Sequence, residues 1–286
     1  MTVALRHDRF SAEIAPEAGA ALLSFSVGGR RALRPAASPQ DAARDPRAAA
    51  CFACVPWFGR LFGGLDVAGR RVALAPTLPA CDPVNPLHGE GWTRPWAIAA
   101  RAPDRLLCRL RSDGAGPGRF PFPYEASQEI ALDAQGLSIV LVLTNAGAGP
   151  MPAGLGLHPY FPRRTDTRLS FAADGLWTPH EAGGGAETPV PGGLDFARGA
   201  PLPERGVDHS FIGFSGEALI ETDGLALRLK SDAPILHLYA PPGADFFCLE
   251  PVTHRPGAFG ADILPPGART RLSMRLSPVP RDKGCA

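Results

Sequence analysis

The sequence lacks an excess of charge of either sign and any long uninterrupted apolar run. Its 286 residues include 29 Lys and Arg against 28 Asp and Glu, a net charge of +1, so no global field steers the chain onto nucleic acid or a membrane surface. No segment approaches the ~20 apolar residues of a membrane span, and the charged N-terminal residues offer no signal peptide. We therefore expect a cytoplasmic protein with a small, near-neutral partner.

Cysteine is sparse and shows no pairing pattern. The six cysteines are Cys51, Cys54, Cys81, Cys108, Cys248 and Cys285. A chain of this length can bury a core that is stable without disulfides, so reduced thiols are expected. Cys51 and Cys54 form a C-x-x-C within an apolar run. Because no second pair completes a zinc site, this motif predicts buried structural thiols.

Several familiar catalytic motifs are also missing. The sequence has no Walker-type phosphate loop, no G-x-S-x-G elbow and no H-E-x-x-H metal motif. Gly154-Leu-Gly156 begins like a dinucleotide fingerprint, but it lacks the third glycine and continues into His158-Pro159. These absences argue against nucleotide hydrolysis, serine hydrolysis and hydride transfer.

Short strand patterns separated by turn residues dominate the chain. Leucines alternate with other residues from 225 to 230, directly after the turn dipeptide Asp223-Gly224, which predicts a hairpin with Ala218–Glu221 as its first arm. Leu272, Met274 and Leu276 predict a strand with one buried face. The apolar stretch Gly136–Thr144 predicts a central strand that is covered on both faces.

Helices are hard to place among 33 Gly and 32 Pro. Only Ser38–Ala50 has a helix-like composition, and Pro46 is expected to break it. The Gly- and Pro-rich stretch Ala182–Pro203 is expected to be a surface excursion, because strand patterns resume on both sides of it. We therefore predict one all-β domain, residues 1–286, built as a large antiparallel β-sandwich.

Five polar residues lie in otherwise apolar or turn-forming segments. His88 precedes two tryptophans in a loop, and His158 is predicted at the end of a strand. Glu250 is predicted to close an apolar strand, where a carboxylate must be paired, solvated at a cleft or protonated. Asp208 and Arg60 lie in turn-like segments. Taken singly, each also fits a structural residue, such as a hydrogen-bonded core histidine or an ion-paired glutamate.

Taken together, these segments resemble the aldose 1-epimerase, or galactose mutarotase, family in order and in context. The resemblance rests on H-P-Y-F at His158–Phe161, E-P-V-T-H at Glu250–His254 and D-H-S-F at Asp208–Phe211, and it extends over roughly residues 10 to 280. Further matching segments are Phe120–Tyr124, Leu137–Asn145, Met151-Pro152, Leu194–Phe196 and Leu264–Gly267. The resemblance implies a many-stranded antiparallel supersandwich with a sugar cleft on one sheet face and no cofactor.

The family's chemistry, carried onto these positions, implies a role for each residue. Opening a cyclic hemiacetal requires one proton to leave the anomeric hydroxyl while another reaches the ring oxygen. By resemblance, Glu250 takes the C1 hydroxyl proton and His158 protonates the ring oxygen. His88 stabilises developing charge or shares the proton donation. Asp208 holds ring hydroxyls, and Arg60 binds a hydroxyl or orients Glu250. The implied activity is interconversion of the α and β anomers of a free aldose.

One alternative concerns a phosphorylated substrate. The compact His88 loop and Pro56–Gly59 also resemble the hexose-6-phosphate branch of the family. A phosphate would require bidentate arginines. The candidates are Arg60, Arg70, Arg71 and Arg94. The position of Arg60 and the long stretch before His88 favour the free-sugar branch, so a neutral sugar is the expected partner.

Two further alternatives belong to other functional classes. A sandwich that only binds sugar would not need an acid and a base facing each other. A metal site would draw on His88, His158, His237, Glu250 and His254. These residues lack the close ligand spacing of structural zinc sites, and we expect no metal. The chain is expected to be a monomer or a homodimer.

Overall fold

The regular structure of the protein is almost entirely β-strand. A computed structural model describes residues 1–67, 70–181, 184–222 and 224–279. The strands are β1 (Val3–His7), β2 (Phe10–Ala15), β3 (Ala21–Val27), β4 (Arg30–Arg31), β5 (Cys51–Cys54), β6 (Leu65–Val67), β7 (Arg70–Val72), β8 (Ala97–Ala102), β9 (Arg105–Ser112), β10 (Tyr124–Asp133), β11 (Gly136–Asn145), β12 (Met151–Pro152), β13 (Gly156–Pro162), β14 (Arg168–Phe171), β15 (Gly175–Pro179), β16 (Gly185–Thr188), β17 (Ala200–Pro201), β18 (Val207–Ile212), β19 (Glu217–Thr222), β20 (Leu225–Ser231), β21 (Ile235–Ala240), β22 (Phe246–Val252), β23 (Ile263–Leu264) and β24 (Arg269–Pro278). The helical elements are α1 (Pro39–Arg44) and short 3₁₀ turns at Pro46–Ala48, Gly91–Thr93 and Gly192–Leu194.

The strands form two large antiparallel sheets. The larger sheet has the order β1-β2-β3-β5-β13-β22-β21-β18-β15-β16, with β4 beside β3. The smaller sheet has the order β17-β14-β19-β20-β24-β11-β10-β9-β8. Two short ribbons, β6–β7 and β12–β23, lie outside these sheets. The predicted all-β antiparallel sandwich is confirmed.

The two sheets enclose one apolar core. Phe25, Leu157 and Leu249 of the larger sheet join Ile130 and Leu272 of the smaller sheet in this core, and each is at most 1% exposed. Burying a side chain of this size contributes about 1.5–3 kcal/mol. The alternation along each strand therefore fixes which side chains face the core and which face outward.

The larger sheet is also buried on its outer face. Segments carrying Phe58, Leu87 and Trp92 pack there against Phe52 and Tyr160, whose neighbours in β5 and β13 face the core. As a result, β13 and β22 are buried over nearly their whole length. Strands covered on both faces have this character.

The prediction of double cover for Gly136–Thr144 is wrong. β11 is an interior strand of the smaller sheet, as expected. Its residues nevertheless alternate between buried and partly exposed, with Val140 and Val142 on the partly exposed face. The run of β-branched residues reflects strand propensity at this position rather than burial on both faces.

The predicted hairpin and the amphipathic last strand are confirmed. β19 and β20 pair directly, and Gly224 in the turn has a φ of +80°, while Asp223 lies outside the described residues. In β24, Leu272, Met274 and Leu276 are buried and alternate with partly exposed residues.

The predicted helix and its interruption are also confirmed. α1 begins after Ser38, whose hydroxyl accepts a hydrogen bond from the Asp41 N–H, and Pro46 starts a separate 3₁₀ turn. Residues 184–203 are mostly exposed, as expected of a surface excursion, although Leu194 and Phe196 anchor them in the core. Ala182 and Gly183 lie outside the described residues.

The cysteines of the described ranges are free. Cys51 and Cys54 are buried, which confirms structural thiols, and Cys285 lies outside the described residues. In the part of the chain that the structure describes, no helix is long and apolar enough to cross a membrane.

Candidate active site

The register of five neighbouring strands aligns polar and aromatic side chains in one row across the larger sheet. His158 lies opposite Phe52 on β5, and His237 lies opposite both Glu250 on β22 and Ser210 on β18. The pairing of β13 with β22 places Glu250 beside His158. Two of the predicted residues, from distant parts of the sequence, therefore meet on the outer face of one sheet.

His158 and Glu250 lie inside their strands rather than at strand ends, contrary to the sequence prediction. β13 continues past Pro159 to residue 162, and β22 continues past Pro251 to residue 252. The pairing between these two strands skips the residues around the prolines, because proline has no N–H to donate to a ladder. The prolines thus interrupt the ladder beside His158 and Glu250 without ending either strand.

Glu250 is a buried carboxyl group that no neighbour satisfies. Its side chain is 1% exposed, and neither carboxyl oxygen accepts a hydrogen bond from the described residues. The histidine Nε2 of His158 lies 3.3 Å from Oε1. Burial raises the pKa of Glu250 well above its usual value, and the negative charge of Asp208 adds to this effect. Within the described ranges, therefore, no arginine or lysine forms the structural ion pair with Glu250 that was the alternative interpretation of the sequence.

His158 is held rigidly beside this carboxyl group. Its ring stacks on Phe52 at a centroid distance of 4.4 Å and on Tyr160 at 4.8 Å. Burial lowers the pKa of His158 well below its usual value, with further contributions from His88 and His237. Burial thus favours an uncharged pair, in which Glu250 holds a proton and His158 does not carry an extra one. Proton transfer across 3.3 Å gives the alternative arrangement of carboxylate and imidazolium.

His88 approaches the same pair from a loop. Its backbone has a positive φ of 55°, and its ring meets the His158 ring edge-on at 5.2 Å. Nδ1 accepts a hydrogen bond from the Gly59 N–H at 3.2 Å, so in the neutral ring Nε2 carries the hydrogen. Burial, followed by the charges of His237 and Arg60, lowers the pKa of His88 to about 3. His88 is consequently a neutral hydrogen-bond donor.

Two residues next to His88 explain why its loop has this sequence. A Cβ on Gly89 would lie 2.1 Å from the carbonyl oxygen of Val55, so only glycine allows the loop to pack this closely. The carboxylate of Glu90 is buried and accepts hydrogen bonds from the Phe120 N–H at 3.1 Å and the Arg119 guanidinium at 3.1 Å. These contacts anchor the loop and thereby fix the position of the His88 ring.

Asp208 and Arg60 lie at the mouth of the site. The Asp208 side chain is 66% exposed, and its Oδ1 lies 3.1 Å from His237 Nε2. This hydrogen bond holds the pKa of Asp208 below its usual value. Arg60 donates from Nε to Asp82 at 2.8 Å. Of the two roles expected for Arg60, a direct hydrogen bond to Glu250 is not formed, since neither oxygen of Glu250 has a hydrogen-bond partner among the described residues. Binding of a sugar hydroxyl stays a prediction.

A cleft of about 470 Å³ opens above the row. Its size falls within the about 300–1,000 Å³ of small-molecule sites. The cleft is lined by all five predicted residues, Arg60, His88, His158, Asp208 and Glu250. Other lining residues are Arg47, Phe52, Phe58, Phe62, Cys81, Leu87, Trp92, Tyr160, Thr178, Ser210, His237 and Tyr239. A separate cavity of about 340 Å³ contains none of the predicted residues.

His237 and Ser210 also line the cleft, and the sequence predicted neither as part of a sugar site. His237 was predicted only as a possible metal ligand. The one local signal is a histidine on an otherwise apolar alternating strand, Ile235–Ala240. Its direction toward the cleft follows from pairing with Glu250, which a local pattern does not reveal.

The five residues named as possible ligands of a metal site do not form one cluster. His254 accepts a hydrogen bond from the Phe58 N–H at 2.9 Å and does not line the cleft. Among the described residues, one group could approach a metal ion: ligand atoms of His158, Cys248 and Glu250 lie within 4.8 Å of one another. Burial raises the pKa of the Cys248 thiol, and a protonated thiol is a poor ligand.

Comparisons with known proteins show the family of this chain. A family model of aldose 1-epimerases matches residues 1–277. The uncharacterized protein YphB of Escherichia coli K12 is 35% identical over 249 residues, which cover 80% of this chain and 83% of that protein. The crystal structure of a "putative aldose 1-epimerase" from Escherichia coli K12 has a TM-score of 0.85 at 30% identity, covering 98% of this chain and 99% of its own.

More distant structures share the fold. A galactose 1-epimerase from Lactobacillus acidophilus has a TM-score of 0.78 at 18% identity, covering 97% of this chain and 94% of its own. A GalM/aldose epimerase homologue from C. elegans has a TM-score of 0.81 at 17% identity, covering 98% of each chain. The sandwich is therefore of the galactose mutarotase-like type. Because the family model spans nearly the whole chain, this protein belongs to the aldose 1-epimerase family.

Proposed function

We propose that the protein is an aldose 1-epimerase that interconverts the α and β anomers of a free aldose. The observation that carries this proposal is a buried Glu250 that accepts no hydrogen bond from the described residues. Its carboxyl oxygen lies 3.3 Å from His158 Nε2, at the floor of a cleft of sugar-accommodating size. A site that only binds sugar gains nothing from an acid and a base in contact. A buried carboxyl group without a hydrogen-bond donor costs stability, which makes it a candidate for function.

The reaction needs two proton transfers in opposite senses. Glu250 as carboxylate removes the proton from the C1 hydroxyl while His158 as imidazolium protonates the ring oxygen, which opens the ring to an aldehyde. Rotation about the C1–C2 bond exposes either face of the aldehyde. Reclosure returns both protons, because the carboxylic acid protonates O1 as the imidazole takes the proton of the attacking hydroxyl.

The pair conserves a single shared proton through this cycle. Ring opening converts the carboxylate–imidazolium arrangement into the carboxylic acid–imidazole arrangement, and ring closure converts it back. Burial of Glu250 and His158 favours the uncharged arrangement in the empty cleft. Because the two arrangements differ only by one proton transfer, binding of the cyclic sugar needs no proton from solvent.

His158 rather than His88 is the proposed principal proton donor. The His158 ring can receive its proton directly from Glu250, whereas His88 contacts the His158 ring edge-on. Burial lowers the pKa of both rings, so the Glu250 carboxyl group 3.3 Å from Nε2 is what allows His158 to become protonated. The Nε2–H of His88 instead donates a hydrogen bond toward the oxygen on which negative charge develops.

The charges around the cleft favour a neutral sugar over a sugar phosphate. The lining cations Arg47 and Arg60 are each paired with an aspartate, Asp45 and Asp82 respectively, and Asp208 adds a negative charge at the mouth. A phosphate dianion would need cations that are not already neutralised.

Two of the three other arginines predicted as phosphate ligands have hydrogen-bonding partners. Arg94 pairs with Glu90, and Arg71 donates to the carbonyl oxygen of Phe62. The Arg70 side chain lies outside the described residues.

NMR exchange spectroscopy of anomer signals tests the proposal. Purified protein should accelerate α–β exchange of at least one free aldose above the buffer rate, with and without a chelator, and exchange of the matching 6-phosphate should be slower. Acceleration confined to 6-phosphates would overturn the substrate assignment. Binding of a sugar without any acceleration would establish a binding module instead.

A further inference from the structure

Three polar side chains beside the acid–base pair form a continuous chain of contacts. Ser210 Oγ lies 2.9 Å from His237 Nδ1, and His237 Nε2 lies 3.1 Å from Asp208 Oδ1. Exposure increases along these three side chains, since Ser210 is 1% exposed, the His237 side chain 14% and the Asp208 side chain 66%. The hydrogen-bonded series thus leads from the sheet interior to the mouth of the cleft.

The direction of the hydrogen bonds follows from the chemistry of the three groups. A carboxylate only accepts hydrogen bonds, so Nε2 of His237 donates to Asp208. In the neutral ring Nδ1 then accepts from the Ser210 hydroxyl. The register supports this order, because Ser210 and His237 are direct cross-strand partners.

The same three residue types form the triad of serine hydrolases, but the backbone around Ser210 does not suit a nucleophile. Acyl transfer needs N–H donors arranged around the developing oxyanion. Ser210 lies within β18 and pairs with Trp177 on one side and His237 on the other. Its backbone therefore belongs to two sheet ladders rather than to an exposed turn.

We propose that Ser210 and His237 orient the Asp208 carboxylate toward the hydroxyls of the bound sugar. This inference rests on the proposed function and makes His237 a positioning residue that acts through Asp208. An exposed aspartate would lose rotamer freedom on binding sugar, and a hydrogen bond from a fixed imidazole removes that cost beforehand. His237 is then a determinant of substrate affinity rather than of proton transfer.

Steady-state kinetics of anomer exchange in the full-length protein tests the inference. His237→Leu should raise KM by about three- to tenfold, as expected when one unrestrained side chain must be ordered on binding, and change kcat by less than about twofold. His237→Gln should stay within about threefold of the wild-type KM, because its amide retains an N–H donor and a carbonyl acceptor. His209→Gln, on the same strand as Asp208 but outside the cleft lining, is the control and should leave both constants unchanged.

A double-mutant cycle shows whether His237 acts through Asp208. Asp208→Asn alone should raise KM, and adding His237→Leu should raise it no further, because the two residues form one unit. Additive effects, or a fall in kcat at unchanged KM, would overturn the inference. So would labelling of Ser210 by a fluorophosphonate probe. If His237→Leu fails to fold, Ser210→Ala in the same cycle keeps the inference testable. It removes the hydroxyl that holds Nδ1 of His237 and should raise KM in the wild type but not in Asp208→Asn. Wild-type protein without anomer exchange would instead overturn the proposed function.

Discussion

Glu250 is a single residue whose proposed catalytic role conflicts with the stability of the fold. A carboxyl group that is 1% exposed and receives no hydrogen bond from the described residues is held in a setting that penalises its charged form. Stacking of Phe52 and Tyr160 on His158 removes water from the neighbouring imidazole in the same way. In the proposed reaction the two groups exchange a proton with each other and with the sugar.

Removing either proton carrier should abolish most of the activity. Glu250→Gln and His158→Asn keep approximate size but cannot carry out the transfers, so each should lower kcat by about 10²–10⁴-fold. The measurement is anomer exchange by NMR, accompanied by circular dichroism to show that the fold persists.

The control for these two variants lies far from the cleft. Glu217→Gln alters an exposed carboxylate of the smaller sheet that pairs with Arg228 and Lys230, and it should leave kcat unchanged. A Glu250 or His158 variant that retained near-normal turnover would show that its role has been assigned wrongly.

At the scale of elements, the larger sheet supplies the floor of the site and the His88 loop supplies its wall. The loop depends on a close approach of Gly89 to Val55, where the glycine has a φ of +71°. A side chain at this position would push the loop outward and carry the His88 ring away from His158.

Gly89→Ala should therefore lower kcat/KM by at least about tenfold and destabilise the fold by about 1–3 kcal/mol. Gly28→Ala is the matched control. Its φ of +56° is also left-handed, but nothing lies within 4 Å of the added Cβ. The free energy of unfolding of this control should fall by about 1 kcal/mol, the cost of a left-handed backbone in alanine, and its activity should not change. Equal activity losses in the two variants, measured by anomer exchange and denaturant titration, would contradict a specific role of the loop.

Local patterns predicted the elements whose conformation depends on near neighbours. The hairpin of β19 and β20, the alternation in β24 and the break at Pro46 all follow from turn residues and periodicity within a few positions. Burial on both faces was predicted for the strand Gly136–Thr144 but occurs in β13 and β22. Segments distant in sequence decide which face of a sheet is covered, and a local pattern does not show them.

The site was predictable only as far as a family resemblance reached. The resemblance pointed to His88, His158, Glu250, Asp208 and Arg60, and the structure places all five along one cleft. The contact of His237 with Asp208 depends on the register between β18 and β21, which no short segment of either strand specifies. Its membership of the site could therefore not be read from the sequence.

At the scale of the molecule, cover on both faces of the larger sheet buries ionisable groups in their uncharged forms. Burial lowers the pKa of His88 to about 3 and that of His254 to about 4, and it raises the pKa of Glu250. An unfolded chain exposes all of these groups to water, where they titrate near their ordinary values. Folding and proton binding are therefore linked.

The free energy of unfolding should consequently depend on pH through two opposite contributions. Between about pH 5 and about pH 6 the unfolded chain protonates His88 and the folded chain does not, so stability rises with pH by up to about 1.4 kcal/mol per pH unit for this residue. Glu250 acts in the opposite sense, because the folded chain retains a proton that the unfolded chain releases. Denaturant titrations across this window should give a flatter slope for His88→Gln and a steeper slope for Glu250→Gln than for the wild type. Equal slopes in the three proteins would mean that the cleft does not hold these groups uncharged, and the proton cycle proposed for catalysis would lose its physical basis.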